Sequence, residues 1–223
     1  EELTLEEIDK ISASIGSLLF LLPTGGEPFL REDLPEIVKI YHKNTGVKNV
    51  VIPTNGWFTD RIVKYAEEIL TACPDVDLGI DVSIDAIGSE HDDIRRLPGL
   101  FERACQTYRE LRRLEKVYPN FNVNIEITVS SLNQDKLLEL YSFFKKELEA
   151  DNIFTLLTRG RPRDVSAAQG IDIRKYEEFN EILDEDMRRG ELGYTSFPFC
   201  DLINAERILR HRIITRTVMT GER

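Results

Sequence analysis

From residue 18 to about residue 160, short apolar or β-branched runs alternate with longer amphipathic ones across brief links. This order constrains the fold more than any other feature of the chain, because strand–helix–strand succession is the signature of parallel βα units. Five runs read as strands: LLFLL (18–22), expected to be buried, VKNVVIPT (47–54), LGIDVSID (78–85), NVNIEITVS (122–130) and NIFTLLTRG (152–160). The helices between them have recognisable starts. Thr4 and Glu7 form a capping box, with Ile8, Ile11 and Ile15 along one face. Asp33, with Glu36 three residues on, is expected to cap a helix running to about His42, and Thr59 the helix DRIVKYAEEILTAC. Pro98 precedes a long helix from about Gly99 to Val117, and Asn133 begins KLLELYSFFKKELE. The expected class is therefore α/β.

Beyond Arg163 the pattern changes. A polar linker leads to a helix over Ile173–Arg189, an irregular stretch, and a final helix from about Asp201 to Thr217. Residues 1–163 are expected to form the core and residues 164–223 a helical extension or a bridge toward a further domain. The chain does not begin with Met and opens one step before a helix, so it reads as part of something longer.

The faces of the strands carry information about function. Side chains in a strand alternate between its two faces. In NVNIEITV, Asn122, Asn124, Glu126 and Thr128 share one face and Val123, Ile125, Ile127 and Val129 the other. In IDVSID, Asp81, Ser83 and Asp85 oppose Ile80, Val82 and Ile84. Parallel strands covered by helices are usually apolar on both faces, and polar groups in a dry core are costly. The pattern points to a barrel or partial barrel with a polar interior, whose ligands sit at the C-terminal ends of the strands. An edge strand with its polar face in water is the other reading.

TGGEP (24–28) lies at such an end. Gly25 and Gly26 permit either a positive φ or close approach by a ligand, and Glu27 supplies a carboxylate that an ammonium would match. A tight turn with no ligand is the alternative. TNG (54–56) is a common turn, and Trp57 beside it is either a packing residue or a lid.

The formal charge of -11 argues against a nucleic-acid backbone as partner. Cys73, Cys105 and Cys200 are too scattered for a disulfide framework or a local metal motif, which favours a reducing, cytoplasmic setting. Cys73 and Cys105 are expected to be buried structural thiols. No run reaches a membrane-spanning length, and the acidic start is unlike a signal peptide. His91 is expected to brace a loop against a helix, while His42 and His211 are expected to be solvated.

TGGEPFLR (24–31) resembles the GGEP motif of radical S-adenosylmethionine (SAM) enzymes. TNG (54–56), VSIDA (82–86) and HDDIRRLPGLF (91–101) extend the likeness, which covers about residues 3 to 160. The resemblance implies a partial TIM-like (βα)6 barrel that in this chain lacks strand one. It implies that Gly25, Gly26, Glu27 and Pro28 hold the methionyl ammonium of SAM, with Asn55 in the adjoining turn. Ser83 and Asp85 would lie near the ribose and Thr128 near the adenosine, while Arg159 would meet the methionyl carboxylate or the substrate. Arg161 and Arg163 read as a surface turn.

The family also needs a [4Fe-4S] cluster, held by CxxxCxxC after strand one. This chain has no such motif, so it is expected to bind no cluster and to be inactive alone. The intact enzyme would cleave SAM reductively to a 5'-deoxyadenosyl radical, using a cellular reductant, and take hydrogen from a peptide, protein or small cofactor precursor. The C-terminal helices are placed like those leading to a cysteine-rich, SPASM-like domain with auxiliary clusters. Two rival functions stand beside this one: a non-enzymatic scaffold or binding protein that lacks the cluster, and an unrelated α/β enzyme using TGGEP as a phosphate or sugar turn.

Overall fold

The structure is a computed structural model and describes residues 2–160, 162, 164–193 and 200–221. Arg161, Arg163 and the side chain of Cys200 lie outside the described residues. Among the described residues five parallel strands, β1 (Phe20–Leu21), β2 (Asn49–Thr54), β3 (Asp77–Ser83), β4 (Phe121–Val129) and β5 (Ile153–Leu157), follow one another in sheet order. The helices are α1 (Leu5–Ile15), α2 (Leu34–Thr45), α3 (Thr59–Ala72), α4 (Ser89–Arg95), α5 (Leu100–Glu115), α6 (Leu137–Glu147), α7 (Ile173–Arg189) and α8 (Cys200–Thr220). This is an α/β fold with the open parallel sheet of a partial (βα) barrel, as the alternation predicts. No described helix is long and apolar enough to cross a membrane.

The chain divides into two compact units, Glu1–Ser83 with Glu102–Val123, and Ile84–Phe101 with Asn124–Arg223. In the first unit, β2 pairs with β3 over six residues, from Asn49↔Asp77 to Thr54↔Val82. Ile52, Leu78, Ile80 and Val82 are fully buried, as are Ile62, Ala66 and Ile69 on the apolar face of α3. The capping box of α1 forms: the Thr4 hydroxyl accepts from Glu7 N, and the Glu7 side chain accepts from Thr4 N. Ile8 is buried, but Ile11 and Ile15 are exposed.

Four local expectations fail in this unit for identifiable reasons. LLFLL is not a buried strand: β1 makes only two residue pairs, both with β2, and Leu19 is 89% and Phe20 51% exposed. Asp33 sits at the N-cap of α2 but makes no side-chain cap, because the Arg31 guanidinium takes its carboxylate at 2.6 Å. That cation holds the carboxyl below the usual aspartate range. Thr59 is the first residue of α3, after an N-cap at Phe58, and its hydroxyl pairs instead with Thr107 at 2.7 Å. His42 is not simply solvated, since its Nε2 lies 2.9 Å from Asp75.

In the second unit β4 pairs with β5 from Ile125↔Ile153 to Val129↔Leu157. Ile125, Ile127 and Val129 are fully buried on one face. On the other, Asn124 is buried while Glu126 and Thr128 are half-buried. Asn124 accepts from Asn152 at 2.5 Å. Arg207 of α8, 2% exposed, donates to Asn152 Oδ1 and to the Ile153 carbonyl and lies 3.7 Å over the Phe154 ring. A side chain from a helix thus satisfies a carbonyl of β5, one way to cover a strand edge. His211 is not solvated as expected: it is 6% exposed, with Nδ1 2.9 Å from Asp184. A cavity of about 490 Å³ between α7 and α8 reaches these two residues.

Candidate cofactor site

Glu27 is the N-cap of a 3-10 turn over Pro28–Leu30, the proline fixing its first position. Its Oε1 accepts from Phe29 N at 3.2 Å and from the Thr54 hydroxyl at 2.9 Å, and its Oε2 accepts from Asn55 N at 2.7 Å. The turn after β1 and the end of β2 therefore hold one carboxylate between them. These three donors are neutral and fix the orientation of the carboxylate.

Gly25 and Gly26 are exposed, neither has a positive φ, and no atom lies within 4 Å of where a Cβ would stand. Backbone conformation and internal crowding therefore require neither glycine. The turn leaves open space beside the fixed carboxylate. Gly56 is the opposite case, with φ +81° and a Cβ position only 2.8 Å from Ala104 Cα.

Asn55 Oδ1 accepts from Trp57 N at 2.9 Å, and the Gly56 carbonyl accepts from the Thr107 hydroxyl at 2.6 Å. The TNG turn is thus locked from both sides. Trp57 is half-buried with the Arg103 guanidinium 5.9 Å from its ring centroid.

In the second unit Asp85 is buried and fully engaged. Its backbone N donates to His91 Nδ1 at 3.0 Å, and its carbonyl accepts from Asn133 Nδ2 at 2.9 Å. Its Oδ1 accepts from Thr128 N at 2.8 Å and its Oδ2 from Arg95 Nε at 2.6 Å. This explains the HDDIRRLPGLF segment. His91 and Arg95, one turn apart on α4, grip Asp85, while Asp92 accepts from Gly99 N and Phe101 N and so caps α5. Burial raises the Asp92 carboxyl, but those backbone donors outweigh it and leave the net shift downward.

No sequence pattern marks α4 as a separate helix, and the helix start expected at Asn133 is misplaced. That residue does not start α6, which begins at Leu137 with no side-chain cap. Instead its Oδ1 accepts from Ser130 N at 2.8 Å, and its Nδ2 donates to both Asp85 O and Thr128 O. The signal was the turn-rich SSLNQD after a strand, where an Asn closes a local loop as readily as it opens a helix. Thr54, which holds Glu27, was missed because a strand-end threonine has no distinguishing pattern.

Ser83 ends β3 and is 6% exposed, with no partner for its hydroxyl among the described residues. The Thr128 hydroxyl also lacks one, although the Thr128 backbone is held at both N and O. Arg159 is exposed, two residues beyond β5. Cys73 and Cys105 are buried free thiols, as expected; burial pushes Cys105 up to about 12, far from the thiolate that iron requires. Among the described residues no group of three or more His, Cys, Asp or Glu could hold a metal ion. The described residues do not fit an iron-sulfur cluster.

His91 is the brace the sequence suggests, and it makes a pH test. Burial, with Arg95 adding to it and Asp85 opposing, lowers its pKa from 6.5 to about 4. The folded protein then holds a neutral ring with Nδ1 as acceptor, while the unfolded chain takes up a proton near pH 6.5. Stability is full above pH 6.5 and falls as the pH drops toward 4, by roughly 3 kcal/mol in all. Urea unfolding between pH 7 and pH 5 should show this slope; His91→Gln should flatten it. An equal slope in the variant would assign it elsewhere.

The fold and these two clusters define a class: a parallel βα core with a fixed carboxylate turn after its first strand and a buried Asp85 clamp after its third. No protein-family model matches the chain. It is 31% identical over 179 residues to the GTP 3',8-cyclase of Aquifex aeolicus (strain VF5), covering 80% of this chain and 51% of the relative. It is 35% identical over 167 residues to the AdoMet-dependent heme synthase of Methanosarcina barkeri (strain Fusaro / DSM 804), covering 72% and 44%. Among solved structures, native anSMEcpe with bound AdoMet and Kp18Cys peptide superposes with a TM-score of 0.57 at 18% identity, over 84% of this chain and 52% of that one. The chain spans about half the length of the curated relatives it matches. It is a core domain of the radical SAM superfamily, without the superfamily's cluster-binding cysteines among its described residues.

Proposed function

We propose that this chain is the SAM-binding core of an enzyme that, as a whole protein, cleaves SAM reductively and abstracts hydrogen from its substrate. SAM supplies the 5'-deoxyadenosyl group for that chemistry. The observation that carries the reading is the Glu27 carboxylate, fixed by neutral donors beside two glycines that the fold does not need. An ammonium set there gains a charge-assisted hydrogen bond to an acceptor already in place. Gly25, Gly26 and Pro28 shape the approach, and Asn55 locks the turn behind it. Ser83 and Thr128 offer hydroxyls to the ribose and adenosine, and Arg159 meets the methionyl carboxylate or the substrate.

The substrate class is a peptide, a protein or a small cofactor precursor. A cellular reductant, cysteines outside this chain and a cytoplasmic setting complete the proposal. Residues 164–223 extend the core toward a further domain that would carry auxiliary clusters. The phosphate-turn alternative is disfavoured, since a fixed carboxylate repels a phosphate.

The test is anaerobic reconstitution of the longer gene product with iron and sulfide, beside this chain. Reductive SAM cleavage and about four irons or more per molecule are expected for the former, and neither for the latter. Cleavage by this chain alone would overturn the assignment. A longer product without cysteines of the required spacing would favour the scaffold reading, for which the lack of a ligand set among the described residues is the specific observation.

A further inference from the structure

Resting on that reading, the network around Asp85 identifies residues that position the cofactor without touching it. Asp85 is 2% exposed, and each of its carboxylate oxygens already holds a donor from the chain, one Thr128 N and the other Arg95. Asn133 closes the ring from the other side, donating to the carbonyls of Asp85 and Thr128 through one amide nitrogen. Thr128 is therefore fixed at both its N–H and its carbonyl; the residue is half-buried, and its hydroxyl has no partner among the described residues. The buried groups form the frame, and the hydroxyl is what the frame presents.

We infer that Asp85 and Asn133 are positioning residues that act on the nucleoside of SAM through Thr128, whose hydroxyl meets a ribose oxygen. This departs from the resemblance, which sets Asp85 itself near the ribose. The sequence could not separate the two, because a carboxylate at a strand end reads the same whether it faces a ligand or its own backbone.

Epistasis tests it in the reconstituted whole protein. The quantity is the ratio of Kd for 2'-deoxy- and 3'-deoxyadenosyl analogues of SAM to that for SAM. Thr128→Val should lower the larger ratio about fivefold, the worth of one hydrogen bond. Asp85→Asn and Asn133→Ala should each lower it part of the way. Combined with Thr128→Val, neither should lower it further, since each acts through the same hydroxyl.

A variant that merely loosened the fold would weaken SAM and analogue alike and leave the ratio unmoved. An unmoved ratio in Thr128→Val, or in both Asp85→Asn and Asn133→Ala, would overturn the inference. So would an Asp85→Asn effect undiminished in the Thr128→Val background, which would make Asp85 a direct ligand. If the parent protein bound no SAM, the cofactor reading would fall and this inference with it, a result distinct from either pattern.

Discussion

Gly56→Ala should destabilise the protein by about 4 kcal/mol, a large share of the stability of an ordinary domain. Two costs combine. The residue has φ +81°, a left-handed conformation that costs a non-glycine roughly 1–2 kcal/mol. The added methyl would also lie 2.8 Å from Ala104 Cα and 3.3 Å from Val82 Cγ1. The first contact is with the backbone of α5, which cannot swing aside as a flexible side chain would. The Thr107 hydroxyl on the Gly56 carbonyl ties the turn to the same helix, so relief would break that bond. Denaturant melts should show the loss, whereas Gly25→Ala, where a Cβ meets open space, should change stability by less than about 1 kcal/mol. Equal effects at the two sites would refute the steric account.

Asp85→Ala is the second large effect, expected to cost about 3–5 kcal/mol. It strips Arg95 of its carboxylate and leaves Thr128 N without its acceptor. Arg95 is 28% exposed and can reach water, so the larger part of the loss belongs to the buried N–H and the emptied space. Asp85→Asn keeps an acceptor for Thr128 N and should lose less than half as much. Should Asp85→Ala melt like the parent, the clamp would be an incidental contact.

The order of strands and helices was legible because hydrophobic periodicity is local and each βα unit repeats it. What the sequence concealed depends on partners far along the chain. Asn133 pairs with Asp85, 48 residues away, and no local pattern separates that clamp from a helix start. Asp33 had the right residue type for a cap, but a neighbouring arginine outcompeted the helix for it. At the site the motif GGEP was plain, yet only coordinates show that Gly25 and Gly26 are unforced while Gly56 is required. LLFLL read as a buried strand because its five residues are apolar, and apolarity alone does not supply a covering layer.

In the proposed function, Glu27 is a preset receptor for the ammonium of SAM. Calorimetric titration of the reconstituted whole protein with SAM, and with an analogue lacking the α-amino group, tests it most directly. Glu27→Gln should weaken SAM about ten- to hundredfold, the range for a hydrogen bond between charged groups, and leave the des-amino analogue nearly unchanged. If Glu27→Gln weakened both ligands equally, or neither, the carboxylate would be only the cap of its 3-10 turn and the cofactor assignment would be wrong.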